Sequence, residues 1–138
     1  MQRAPIGLQL ARTARAVSAA FERAMAEAGG SASTWQVLLL VRSEQWNNQS
    51  ELARAMGITG ATLTHHLGAL ERQGLVRRWR DEGNRRVQRV ELTAAGAALF
   101  DRLRAVAVAH DERLRAELTD AEVGQLSELL GKLRTGLA

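Results

Sequence analysis

The run from Thr59 to Leu92 constrains the fold most. In its first half, TGATLTHHLGALERQGLV, Leu63, Leu67 and Leu70 recur at helical spacing and share one face. Thr59 is placed to cap this helix, because its hydroxyl accepts from an orphan N–H of the first turn. Gly74 follows the last periodic residue and predicts the stop. The opposite face carries Ala61, Thr62, Thr64, His65 and Gly68. These are short or polar side chains instead of a solubilising row of Glu and Lys, and such a face suits close approach to another surface. The second half, RRWRDEGNRRVQRVEL, predicts a hairpin. Val76 opens one arm, and Val87, Val90 and Leu92 mark the other. The turn cluster Asp81–Asn84 lies between them with Gly83 inside it.

Charge is concentrated in the same run. From Arg72 to Arg89 seven arginines stand against Asp81 and Glu82, a net of +5 in a chain of net +4, so the remainder is about −1. An arginine-rich hairpin beside a helix with a small-residue face is what a duplex phosphate backbone attracts. Arg77, Arg78, Arg80, Arg85, Arg86 and Arg89 are the candidates for phosphate or minor-groove contact. Ala61, Thr62, Thr64 and His65 are the candidates for reading base edges.

The rest of the chain reads as support. Pro5 fits a first helical turn, and Ile6, Leu10, Ala14, Val17, Phe21 and Met25 or Ala28 then recur every three or four residues up to Gly29-Gly30. Ser33 and Gln36 have the form of a capping box for a short, mostly buried helix through Trp35, Leu38, Leu39 and Val41. Asn48 and Glu51 form a second box, and Gly57 ends the helix that carries Leu52, Ala53 and Met56. Helix, tight turn and helix, with small or apolar residues at Ala53, Gly57, Ile58, Leu63 and Leu67, make a helix-turn-helix. The hairpin directly after it makes this a winged one. Thr93 then caps a long helix with Leu99, Leu103, Val106, His110 and Leu114 in one stripe. A box at Thr119–Glu122 starts a last helix with Val123, Leu126, Leu129, Leu130, Leu133 and Leu137 on one face. The first and last two helices carry more apolar surface than the central module can cover, which predicts oligomerisation.

At this point the sequence resembles the MarR family of bacterial transcriptional regulators. Motif carries the resemblance from Ser33 to Gly96, and the order of elements carries it elsewhere. Its strongest part is the wing and exit, where Asp81, Arg86, Val90, Leu92, Thr93 and Gly96 match the family pattern. Asn84 stands where the family often has Asp, and His65 where many members carry Arg. The resemblance implies a mostly α fold with a small β-hairpin wing: a single MarR-type domain over 1–138, with dimerisation helices at 1–30 and 97–138 flanking a winged helix-turn-helix lobe at 31–96. It also implies a homodimer, usually a repressor, on a pseudo-palindromic operator; a cytoplasmic location is expected separately, from the lack of a signal segment, a membrane span and cysteine. The helix Gly60–Gln73 would enter the major groove and the wing the minor groove, and a small aromatic or phenolic ligand would release the DNA. By family geometry that ligand would meet Trp35 and Trp46 for stacking, and Arg15, Arg42 or His66 for its anion.

Rival readings are weaker. His65 and His66 are adjacent, so they point about 100° apart on a helix. His110 is distant in sequence and there is no cysteine, so a metal-responsive regulator lacks a ligand set and no cofactor is expected. Catalysis lacks an activated nucleophile and a phosphate loop. A winged-helix module that binds protein instead of DNA has to account for the +5 run. The N-terminus lacks a continuous apolar core, and the aliphatic runs are too short for a bilayer, so no membrane partner is expected.

Overall fold

The computed structural model describes residues 3–43 and 49–138. Among these residues the elements run α1 (Ile6–Glu27), α2 (Ala32–Arg42), α3 (Gln49–Met56), α4 (Gly60–Arg72), β1 (Val76–Arg80), β2 (Gln88–Leu92), α5 (Ala94–Arg115) and α6 (Asp120–Gly136). The chain forms two compact units, Met1–Val106 and Ala107–Ala138.

In the first unit the apolar periodicity becomes a core. Met25, Val37, Leu38, Leu52, Leu63, Leu67, Leu70, Val76, Leu99, Phe100 and Leu103 are all buried, and fully burying each such side chain contributes about 1.5–3 kcal/mol. The three leucines that define the face of α4 are thus the ones removed from water. Pro5 stands at the N-cap of α1, one residue before the first turn where the sequence places it, and its carbonyl accepts from Gln9 N (3.1 Å). The cap of α2 is Ser31, not Ser33. Its extended backbone (φ −150°, ψ 166°) lets Oγ accept from Thr34 N at 3.0 Å. Ala32 N donates to Glu22 Oε2 of α1 (3.2 Å), and this tie brings the start of α2 forward so that Ser33 falls inside the first turn. The expected cap of α3, Asn48, lies outside the described residues.

Gly57, at φ 68°, ends α3, and Ile58 N closes back on Ala53 O (3.1 Å). Thr59 then caps α4 as expected, accepting from Thr62 N at 3.1 Å. Gly74, at φ 73°, turns the chain from α4 into the hairpin. The strands pair antiparallel in the register Val76↔Leu92, Arg78↔Val90, Arg80↔Gln88. Val87 belongs to the turn and not to the second arm. Its N–H donates to Asn84 O, and its carbonyl accepts from Asp81 N, both at 2.9 Å. At the hairpin's exit Thr93 N returns to Leu75 O (3.1 Å), Thr93 Oγ1 donates to Gly74 O, and Gly96 N donates to Thr93 Oγ1 (3.0 Å). The end of α4 and the start of α5 are therefore locked together.

In the second unit Thr119 and Glu122 form the expected capping box, with Glu122 N on Thr119 Oγ1 (3.2 Å) and Thr119 N on Glu122 Oε1 (2.9 Å). The bond from Thr119 N to the carboxylate, helped by the Thr119 hydroxyl, holds the Glu122 carboxyl below the usual carboxylate range. No residue of α6 is buried.

Candidate nucleic-acid interface

The outward face of α4 is built by the same periodicity that buries its leucines. Ala61, Thr62, Thr64 and His65 are all exposed on it. Their polar groups are not equally available. Thr64 Oγ1 donates to Gly60 O (2.8 Å) and receives Gln49 Nε2 of α3 (2.6 Å). A hydroxyl has one proton, so Thr64 cannot donate to a base while that bond stands. Thr62 Oγ1 lies 2.9 Å from Thr59 Oγ1, within the cap. His65 is the polar side chain of this face that points to solvent without such an internal bond. Its ring sits edge-on to the half-buried His66, with centroids 6.3 Å apart.

The wing sorts the arginines into two sets. Three are ion-paired. Arg77 pairs with Glu91 across the strands (2.6 Å) and lays its guanidinium over the Trp79 ring, 4.7 Å from the centroid. Arg89 pairs with Asp81 (3.2 Å). Arg78 turns inward, its side chain only 15% exposed, and pairs with Glu71 of α4 (3.1 Å). The Arg78 guanidinium holds the Glu71 carboxyl below the usual carboxylate range. Arg80 donates from Nη1 to Arg85 O at 3.0 Å and so braces the turn. Among the described residues Arg72, Arg80, Arg85 and Arg86 have no carboxylate partner. Arg85 and Arg86 are exposed at the hairpin tip. Asp81 fixes that tip by accepting from Asn84 N (3.0 Å) and from Arg89 Nε, and Asn84 Oδ1 accepts from Arg86 N (3.2 Å). Asn84 thus shapes the turn where the family often uses Asp. An open cleft of about 370 Å³ separates the tip from α4, lined by Gln49, Thr64, Arg86 and Gln88 among others.

Two groups here were missed by the sequence reading. Gln49 reaches the recognition face from α3, and only the fold brings it to Thr64. Arg72 was counted in the charge of the run but not placed on the interface, although its spacing from Ala61 and Gly68 puts it on the same face.

The residues expected to meet a ligand fall apart differently. Trp35 stacks on Phe100 (centroids 5.3 Å, 18° between planes), and the Arg42 guanidinium lies 5.5 Å from the centre of the same Phe100 ring. Trp35 and Arg42 are therefore together, with Phe100 as a partner that sequence spacing did not single out. Arg15 is exposed on α1, and Trp46 lies outside the described residues. Among the described residues no group of three or more His, Asp or Glu is arranged to hold a metal ion, and no helix is long and apolar enough to cross a membrane.

A helix-turn-helix followed by a basic two-stranded wing defines a winged helix-turn-helix protein. Residues 31–87 match the model of the MarR family. The HTH-type transcriptional regulator PecS of Dickeya dadantii (strain 3937) is 33% identical over 88 residues, which is 64% of this chain and 53% of PecS. The match thus spans about half of that relative. The transcriptional repressor CouR, solved bound to a 23-mer DNA duplex, superposes with a TM-score of 0.84 at 29% identity, covering 94% of this chain and 92% of CouR. The S. aureus MepR–DNA complex has a TM-score of 0.87 over 97% and 99% of the two chains, and at 19% identity it bears on the fold alone. Over residues 31–87 the chain is thus similar to the MarR family, and its fold is the winged helix-turn-helix of CouR and MepR.

Proposed function

We propose that this protein is a homodimeric, sequence-specific DNA-binding transcriptional regulator, a repressor released by a small aromatic anion. The observation that carries the DNA reading is the pairing of an exposed, short-side-chain face on α4 with the unpaired Arg85 and Arg86 at the adjacent wing tip. A guanidinium without a carboxylate is ready to exchange its counterions for phosphates. CouR, a repressor of the same fold at 29% identity, is bound to a duplex, which supports the same partner here. The helix α4 would enter the major groove and present His65, while the wing follows the backbone into the minor groove.

Dimerisation is supported by α6, where Leu126, Leu129 and Leu133 are 47%, 55% and 40% exposed. Such a leucine row in water calls for a second apolar surface. The ligand is supported by the Trp35–Phe100–Arg42 cluster, an aromatic shelf beside a guanidinium that suits an aromatic carboxylate or phenolate. Selection of bound fragments from a genomic DNA pool, followed by titration of the recovered duplex against random duplex at several salt concentrations, tests the reading. Enrichment of a pseudo-palindromic sequence with steeply salt-dependent affinity is the expected outcome. Retention of no duplex at low salt overturns it.

A further inference from the structure

Gly68 sits in the middle of α4, where the fold does not ask for glycine. Its backbone is ordinary helix. A Cβ built there would meet only Arg72 Nη1 at 3.4 Å and Arg78 Nη2 at 3.9 Å, which are the flexible ends of two side chains at ordinary contact distance. Alanine would fit, and glycine is the poorest helix former after proline. A glycine inside a helix leaves its backbone bare on that side, so a group from outside the helix can come close there.

The surroundings say what that is. Gly68 lies on the face of Ala61 and His65, and the guanidiniums of Arg72 and Arg78 converge above it. The one carboxylate that pairs at this point, Glu71, takes Arg78 through Nη2. Arg78 Nε is buried with no hydrogen-bond partner. Arg72 is exposed and, among the described residues, has no carboxylate partner. Two guanidiniums over a bare stretch of backbone, with one carboxylate bound to Arg78 and none to Arg72, leave a site short of one negative charge. A guanidinium fork matches a phosphate in both geometry and charge.

We infer that Gly68 is the floor and Arg72 the cationic arm of a seat for one phosphodiester of the bound duplex, at the C-terminal end of the recognition helix, with Arg78 held by Glu71 as its other wall. This rests on the DNA-binding reading and adds a phosphate contact beside those of the wing tip and the base-reading residues. The seat fixes how deep the C-terminal end of α4 lies against the duplex, so it acts on all sequences alike.

The test uses the full chain, a selected duplex and a random duplex, with thermal unfolding measured on each variant. Arg72→Ala should weaken binding to both duplexes about tenfold and lower the log–log salt slope by about one. Arg72→Lys should keep the slope and recover part of the affinity. Gly68→Ala should leave the unfolding midpoint unchanged or raised, keep the slope, and still weaken both duplexes about tenfold by holding the backbone away. If the parent binds duplex while Gly68→Ala and Arg72→Ala bind as it does, the seat is overturned and the wider reading stands. A loss in Arg72→Ala confined to one base position, with an unchanged slope, overturns the phosphate assignment. A parent that binds no duplex removes both the reading and the seat.

Discussion

Gly96, in the first turn of α5, lies against the backbone of Leu75 so closely that a Cβ on it would overlap the Leu75 carbonyl oxygen. That carbonyl also accepts from Thr93 N, while Thr93 Oγ1 bonds Gly74 O at the end of α4. The Leu-Thr-Ala-Ala-Gly run from Leu92 to Gly96 is therefore the fastener between α4, the hairpin and α5. Gly96→Ala must displace backbone, not a mobile side chain, and overpacking of this kind costs about 1–3 kcal/mol. Denaturant unfolding should show that loss. A variant as stable as the parent would mean that the approach is looser than the geometry indicates.

The unpaired wing arginines predict a salt signature. Arg85→Ala and Arg86→Ala should each weaken selected and random duplex alike and lower the log–log salt slope by about 0.9 for each lost contact. Arg77→Ala and Arg89→Ala should change the slope less, because each already has a carboxylate, Glu91 or Asp81. Equal slopes for all four variants and the parent would take the wing out of binding.

Readout should separate His65 from Thr64. A good base contact gives roughly 1–3 kcal/mol of discrimination, so His65→Ala should relax selectivity at one position per half-site and leave random-duplex affinity nearly intact. Thr64 Oγ1 is committed to Gly60 O and Gln49 Nε2. Thr64→Val should therefore lower stability while the preferred bases stay the same. Selection experiments on both variants decide this, and a changed base preference in Thr64→Val would return Thr64 to direct readout.

These predictions show where sequence was sufficient. The leucines of α4, the Thr59 cap, the Gly57 and Gly74 stops, the Thr119–Glu122 box and the position of the hairpin are local, periodic features, and they stand where the spacing puts them. Ser31 displaced Ser33 as a cap because Glu22, ten residues before Ala32, holds the start of α2. Val87 left the strand because turn closure took its N–H and carbonyl. In the site, charge counting found the arginine-rich run but not which arginines were spent. Glu71 and Glu91 lie outside the hairpin turn, and only register and packing bring them to Arg78 and Arg77. Phe100 joined Trp35 for the same reason, across a long sequence separation.

The exposed row on α6 predicts its own variant. Leu129 is 55% exposed, so Leu129→Glu should cost a single chain little and a dimer much. Sedimentation or light scattering should show monomer, and affinity for a two-half-site duplex should collapse towards that for one half-site. Half-sites read by two recognition helices lie about one helical turn, roughly 10 bp, apart. A variant that remains dimeric with full affinity would put the dimer interface elsewhere.

The ligand switch rests on the Trp35–Phe100–Arg42 cluster. An aromatic carboxylate that stacks there should quench Trp35 emission, and Arg42→Ala should weaken it by removing the cation beside the shelf. Trp35→Phe should keep binding and lose the fluorescence signal, which assigns the response to this indole and not to Trp46 or Trp79. Binding releases DNA only through a difference in affinity between the DNA-competent and incompetent forms. A hundredfold fall in operator affinity corresponds to a coupling of about 2.7 kcal/mol, and linkage requires the operator to weaken the ligand by the same factor. Titrating a panel of aromatic acids and phenols with and without operator measures both halves of that cycle on one sample. A compound that quenches Trp35 in the same way with and without operator is bound but uncoupled. If every compound that binds behaves so, the protein is controlled by its abundance and not by a small aromatic signal.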